Sequence, residues 1–259
     1  MLEQTVSLRP RPTWRFVATS LTGTSHLAAG IPCQDAWRCR ALPTGEIIVA
    51  VADGAGSASL AAEGAEAAVG AAIDSLAAHI AIRYISADDA PALMRRVFQD
   101  CQAAVIDRAA QLQVEPDELY TTLCCVAVTD NLTAVGQIGD GIAILDSGDR
   151  VSVTAISPQR GEFANETYFL TMQSSLTFLE VRVLPEMVHA LTLTTDGLLT
   201  LVGQGPHFAP NEETLSHLFD FLAASSDLQS AQQDLADWLR ATVQPRVRDD
   251  LTLLLAMRS

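Results

Sequence analysis

The sequence predicts an α+β fold in which antiparallel sheets are covered by helices. Three observations carry this. Short apolar runs recur in pairs with turn residues between them, long helical periodicities also come in pairs, and strands and helices do not alternate as βαβ units. At 259 residues and 49% hydrophobic, the chain can bury a full core. No composition break, repeat or low-complexity tract divides it, so residues 13–259 read as one domain. Residues 1–12, with Arg9-Pro10-Arg11-Pro12, read as a loosely held N-terminal arm.

Trp14 to Ser20 alternates enough for a first strand. Asp35 to Leu42 and Glu46 to Ala52 form a hairpin across Pro43-Thr44-Gly45. Ala58 to Ile82 is Ala-rich, with Val69, Ile73, Leu76 and Ile80 at helical spacing, and its small residues suit close packing on a sheet or a second helix. Asp89-Ala90-Pro91 marks the next helix start, because proline is favoured in the first turn. Leu93, Val97, Cys101, Val105 and Leu112 give that helix its apolar face. From Thr121 the period shortens, giving strands over Thr121–Val128, Thr133–Ile138, Ile142–Leu145 and Val151–Ile156. Ser157 to Ser175 is irregular and polar and reads as a loop or flap. Leu176–Val183 and Val188–Thr195 read as a further strand pair separated by Pro185. A short helix over Gly197–Leu201, a Gly- and Pro-containing loop over Gly203–Asn211, and amphipathic helices over Glu212–Ala224 and Ser230–Thr242 follow. Leu251–Met257 closes the chain as a strand.

The densest signal is VAVADGAGSA at Val49–Ala58, an apolar run that delivers Asp53 to a strand end followed only by small residues. Gly54 and Gly56 leave the backbone uncovered beside that carboxylate, so a hard cation can take both a carboxylate and a carbonyl oxygen there. Asp-Gly is also the commonest turn dipeptide, but the pattern recurs. Strands border Gln34-Asp35, Gly139-Asp140-Gly141, Thr195-Asp196-Gly197 and Asp249-Asp250. A sheet arrangement that sets these strand ends side by side gathers the carboxylates into an acidic cleft. An all-oxygen donor set of this kind suits Mg²⁺ or Mn²⁺.

Composition narrows the function classes. With 31 acidic against 16 basic residues, the net charge of −15 disfavours nucleic acid, and no basic stripe offsets it. No run is long enough for a membrane span, and the first residues lack the apolar region of a signal peptide, so a cytoplasmic protein with no membrane partner is expected. The five cysteines (Cys33, Cys39, Cys101, Cys124, Cys125) lack CxxC spacing and read as reduced packing residues. His79, His189, His207 and His217 show no metal spacing, and Trp14, Trp37 and Trp238 read as core anchors.

In order along the chain, GTSH at Gly23–His26, PCQDA at Pro32–Ala36, VAVADGAGSA, TTLCCVAV with GQIGDG, GEFANETYFL at Gly161–Leu170, LTTDGL at Leu193–Leu198 and RDDLTLLL at Arg248–Leu255 resemble the metal-dependent protein serine/threonine phosphatases of the 2C type, in a bacterial branch. The resemblance spans about Trp14 to Met257. It implies an α-β-β-α sandwich, two antiparallel sheets with a helix pair on each outer face. It further implies that Asp53 bridges two Mn²⁺ or Mg²⁺ ions, that Gly54 gives its carbonyl to one, and that Asp196 and Asp249 complete the other. Asp35 would hold metal-bound water, and Asp140 would join Asp196 at a weaker third site. Asp250 stands where the family usually has Asn and is read as a neighbour of the site. The implied reaction is hydrolysis of phosphoserine and phosphothreonine in proteins by a water activated between two metals. The implied partner is a phosphoprotein substrate, with a serine/threonine kinase acting in opposition.

Two departures bear on substrate grip. The family's early phosphate-binding Arg is replaced here by His26, which is read as its partial substitute and as a catalytic residue. The His that can follow Asp-Gly is Ala55, which leaves proton donation to water or to His26. These departures keep open a second reading, a catalytically weak or inactive phosphatase-like regulatory protein. A third is a hydrolase of small phosphate esters. Asn165, Glu166 and Thr167 are candidates to line or order the flap, and Arg160 and Arg248 to meet phosphate.

Overall fold

Ile47–Ala52 and Leu123–Val128 have no polar face, and the structure shows why: each strand is buried on both sides. The computed structural model describes residues 13–82, 84–148, 152–159 and 167–259. Its elements in chain order are β1 (Trp14–Leu21), α1 (Thr24–Ala29), β2 (Ala36–Ala41), β3 (Ile47–Ala52), α2 (Ala61–Ile82), α3 (Ala90–Leu112), β4 (Leu123–Val128), β5 (Thr133–Ile138), β6 (Ile142–Asp146), β7 (Ser152–Ile156), β8 (Glu180–Leu184) and β9 (Ala190–Thr194). They continue as α4 (Leu199–Val202), β10 (Gly203–Gln204), β11 (Ala209–Pro210), α5 (Glu212–Ala224), α6 (Leu228–Thr242) and β12 (Leu251–Arg258). The expected arm over residues 1–12 lies outside the described residues, as do Arg160, Asn165 and Glu166.

One five-stranded antiparallel sheet has the order β1-β12-β9-β6-β7 and the other β2-β3-β4-β5-β8. Three apolar layers hold them. Ile47, Val49 and Val51 of β3 meet Leu191, Leu193, Leu254 and Ala256 of the facing sheet, between the two sheets. The alternate residues Ile48, Ala50 and Ala52 pack outward against Val69, Leu76, Val97 and Phe98 of α2 and α3. On the far side, Leu253 and Leu255 of β12 meet Leu218 and Leu222 of α5 and Leu235 and Leu239 of α6. Each buried aliphatic side chain contributes about 1.5–3 kcal/mol, so β3 has no position where a polar residue is cheap. The helix-on-sheet-on-sheet-on-helix architecture implied by the resemblance is the one observed.

Two expectations are corrected. The segments on either side of Pro185 do not pair with each other: β8 joins β5 in one sheet, while β9 lies between β12 and β6 in the other. Apolar periodicity reports burial and not partner identity, and this connection crosses between layers. The first of the two also starts later than expected, because Ser175–Thr177 is a turn of 3-10 helix. In addition, GTSH opens a helix, α1, that periodicity could not show because none of its residues is buried.

The registers place the site. Ala36 pairs with Ala52, so the start of β2 and the end of β3 lie together. Thr194 at the end of β9 pairs with both Leu253 near the start of β12 and Ile142 at the start of β6. Leu123 at the start of β4 pairs with Ile138 at the end of β5. Asp35, Asp53, Asp140, Asp196 and Asp249 are therefore carried by strand ends at the same edge of the sandwich.

Candidate metal centre

Asp53 leaves the end of β3 with its backbone fixed by the segment that enters β4. Its N–H donates to Thr122 Oγ1 at 2.9 Å, and its carbonyl accepts from Thr122 N–H at 2.8 Å and Thr121 Oγ1 at 3.0 Å. Gly54 then bridges Thr121, and it sits so close to neighbouring chain that a Cβ would lie 2.7 Å from the Gln34 carbonyl oxygen. The requirement for glycine here is one of space. It lets the Asp53-Gly54 turn lie against the segment that carries Asp35.

Asp35 is only 8% exposed, and its Oδ2 accepts hydroxyl hydrogens from Thr195 and Thr252, each at 2.7 Å. Thr252 N–H in turn donates to Thr195 Oγ1 at 3.1 Å, so the hydroxyls are themselves positioned. The other oxygen, Asp35 Oδ1, is buried without a hydrogen-bond partner, and so is Asp196 Oδ1. Leaving such groups unsatisfied costs about 1–3 kcal/mol each, more when they are charged.

Charge explains the rest of the site. Burial pushes the Asp53 carboxyl well above the usual carboxylate range, and the neighbouring charges of Asp35, Asp196, Asp249 and Asp140 push it in the same direction. Burial likewise raises Asp35, against the lowering effect of the Thr195 and Thr252 hydroxyls, with Asp250 and Asp196 adding to the rise. Asp196 is pushed up to about 7, by burial first and then by Asp140 and Asp249, while hydrogen bonds from Asp53 and the Gly197 N–H act the other way. Among the described residues no three Asp, Glu, His or Cys side chains close into a finished metal cage. The carboxylates are neighbours by their mutual repulsion. Two unpartnered buried oxygens and an all-oxygen donor set fit a hard divalent cation, which would relieve both deficits at once.

Asp140 sits in a turn held by two glutamines. Gln137 Nε2 donates to the carbonyls of Gly139 and Gly141 at 3.1 and 3.0 Å, and Gly139 N–H donates to Gln159 Oε1 at 2.8 Å. Gly139 takes φ +114°, which favours glycine. Asp249 is exposed on the loop entering β12. That loop approaches so closely that a Cβ on Gly23 would lie 2.2 Å from the Asp249 carbonyl carbon, and one on Gly197 would lie 2.0 Å from the Asp250 carbonyl oxygen. The glycines of GTSH and TTDG are thus the clearance through which the last acidic pair enters.

Asp250, read from the sequence as a neighbour of the site and not a ligand, is 2% exposed and tied to the site more heavily than Asp249. Its Oδ1 accepts from Gly23 N–H at 2.7 Å, its Oδ2 accepts from Gln34 N–H at 2.6 Å, and His26 Nδ1 lies 3.0 Å from Oδ1. Sequence reasoning placed Asp250 beside the site without its tethering role, and missed Thr195, Thr252 and the two glutamines. Thr195 directly precedes Asp196 in TTDG, and Thr252 lies two residues after Asp250 in DDLT, which was the available signal.

The remaining candidates make other contacts. Arg248 Nε reaches Ser25 Oγ at 3.4 Å, and Thr167 Oγ1 is buried without a partner. His79 Nδ1 contacts the Ser75 carbonyl of its own helix. Trp14 and Trp37 pack against the inter-sheet layer as expected, but Trp238 is 39% exposed and lines an apolar groove with Leu218 and Phe221. It is not a core anchor, because α6 turns that side of its helix outward.

The family model described as Protein phosphatase 2C matches residues 22–240. Serine/threonine-protein phosphatase 3 of Escherichia coli (strain K12) is 31% identical over 257 residues, covering 94% of this chain and 98% of that protein. The catalytic domain of the serine/threonine protein phosphatase PstP, solved with 2 manganese ions, superposes with a TM-score of 0.62 at 18% identity, covering 95% of this chain and 99% of that one. The serine/threonine phosphatase Stp1 from Staphylococcus aureus gives a TM-score of 0.60 at 16% identity, over 93% of this chain and 94% of that one. At these identities the two solved structures speak for the fold.

Proposed function

The chain belongs to the protein phosphatase 2C family, and on that premise we propose that it is a metal-dependent enzyme hydrolysing phosphoserine and phosphothreonine in proteins. We read residues 13–259 as its single catalytic domain and the cytoplasm as its place of action, opposite a serine/threonine kinase. The observation that carries the metal assignment is the pair of buried, unpartnered carboxylate oxygens, Asp35 Oδ1 and Asp196 Oδ1, inside a cluster of like charges.

The residues fit two Mn²⁺ or Mg²⁺ ions. Asp53, the Gly54 carbonyl, Asp196 and Asp249 would hold them, and Asp140 would join Asp196 at a weaker third position. When bound, the ions lower the pKa of a shared water and offset the negative charge on the phosphoryl oxygens.

The chain's own contributions follow from its hydrogen bonds. Thr195 and Thr252 fix Asp35 Oδ2 and leave the buried Oδ1, which has no partner, to accept from water. His26 is the side chain assigned to the phosphoryl or leaving-group oxygen. No Cys or Ser nucleophile is required. The test is phosphate release from a phosphothreonine peptide with Mn²⁺. Turnover that disappears with EDTA and with Asp53→Asn supports the reading. A folded, Mn²⁺-binding wild type without release favours the alternative, a phosphatase-like binding protein. That alternative draws on the replacement of the family's Arg by a His already engaged with Asp250.

A further inference from the structure

We propose that Asp250 is a positioning residue that accepts a hydrogen bond from His26 Nδ1–H, so that the doubly protonated ring presents Nε2–H to the phosphoryl or leaving-group oxygen and, once that proton is given up, the neutral ring keeps Nδ1–H on Asp250. This rests on the phosphatase reading above. The two Asp250 oxygens each accept a main-chain N–H, from Gly23 at 2.7 Å and from Gln34 at 2.6 Å. A main-chain N–H can only donate, so both oxygens are acceptors, and an amide at this position would set its NH₂ against one of the two donors. His26 Nδ1, 3.0 Å from Oδ1, then meets an acceptor and must itself donate.

The placement is built into the fold. Gly23 precedes α1, Gln34 precedes β2, and Asp250 precedes β12, so a single carboxylate joins three segments that converge on the site. The groups facing His26 and Asp250 are few. Cys33 and Asp35 lie on the β2 side, where the Asp250 charge acts on both. Asp249 is next in sequence to Asp250, and Ser25 and Arg248 meet each other beside them. The His26 side chain is 16% exposed and that of Asp250 is 1% exposed, so the carboxylate is the inner member and the imidazole the outer one. This order suits a carboxylate that orients and an imidazole that contacts substrate.

The first test is the ¹⁵N spectrum of histidine-labelled wild-type protein with its metal. A protonated, pyrrole-type Nδ1 at His26 is expected, and a pyridine-type Nδ1 overturns the proposal without any substitution. The second test compares Asp250→Asn and His26→Gln on a phosphothreonine peptide and on an aryl phosphate with a good leaving group. Each variant should lose roughly 10²-fold in kcat on the peptide, the low end for a positioned proton donor, and far less on the aryl ester. The double variant should lose no more than either single one. Equal losses on both substrates, or additive losses, show a purely structural role and overturn the proposal. Failure of the underlying phosphatase reading looks different, because wild type itself then releases no phosphate from either substrate. Far-UV circular dichroism identifies an unfolded variant, in which case the wild-type spectrum alone decides.

Discussion

Thr252, on an inner strand of one sheet, donates its hydroxyl at 2.7 Å to Asp35, at the entrance to the edge strand of the other. This bond, with its counterpart from Thr195, crosses the seam of the sandwich. The acidic cleft is therefore a joint product of both sheets, and the position of Asp35 depends on how they stack.

Thr252→Val keeps the side-chain shape and removes one donor. Asp35 then keeps only the Thr195 hydroxyl, and its orientation toward the cleft loosens. Mn²⁺ affinity should fall by roughly 10-fold, the usual size of an effect transmitted through a group one shell out from the metal. Isothermal titration with Mn²⁺ measures it, with Thr195→Val as a second case. Unchanged affinity in both variants would show that the two hydroxyls only fill space.

The raised carboxylates give the metal-free protein an unusual pH dependence. Asp196 is at about 7 in the folded chain and near 3.9 when unfolded. Between those values the folded state holds a proton that the unfolded state has released, so stability falls as pH rises through the window. Asp35 and Asp53, displaced in the same direction, add to this slope. In EDTA the folded state should gain stability as pH is lowered from 8 to 5, by up to about 1.4 kcal/mol per pH unit for each carboxylate, read as a higher melting temperature. Saturating Mn²⁺ should flatten the trend, because the cation offsets the repulsion the protons relieve. A metal-free protein that loses stability over that same descent would contradict the electrostatic account.

The sequence made the strands and outer helices legible because burial on one or both faces writes itself as periodicity, as in Ile47–Ala52 and Leu215–Leu218–Leu222. The motif aspartates were legible as strand-end carboxylates. What stayed hidden depends on contacts between residues far apart in the chain. Asp250 meets Gly23 and Gln34 across more than 200 positions, and nothing local to RDDLT distinguishes it from a turn residue. The assignment of β8 and β9 to different sheets was hidden for the same reason.

The cysteines should be chemically silent. Burial pushes Cys125 up to about 12 and raises Cys101 and Cys124 as well. Cys33 is raised by burial and then by the charges of Asp35 and Asp250, and Cys39 by burial alone. The thiolate is the reactive form, so iodoacetamide at pH 8 should label the native protein slowly and the denatured protein fully. Turnover should survive the treatment. Stoichiometric loss of activity on alkylation would point to a thiol in the chemistry.

Gly197→Ala tests the clearance beside Asp250. Its Cβ would lie 2.0 Å from a main-chain oxygen, which cannot move aside as a side-chain tip can. A cost of about 1–3 kcal/mol is expected from such overpacking, read as a lower urea midpoint with unchanged m-value. Mn²⁺ affinity should fall with it, since Asp196 and Asp249 flank the displaced contact.

Asp53→Asn should separate stability from activity. In the metal-free protein Asp53 is the carboxyl on which four others act, so an uncharged amide of nearly the same shape removes repulsion and a buried charge together. The variant should melt higher than wild type in EDTA at pH 8, by several degrees if the gain is about 1–2 kcal/mol in a chain of this size. It should gain little from Mn²⁺, where wild type gains much, because a proposed ligand is gone. Phosphate release should be abolished. Calorimetry of both proteins with and without Mn²⁺ gives all four values. A variant less stable than wild type in EDTA would mean that Asp53 serves the fold, and that the cluster is not held under strain until a cation enters.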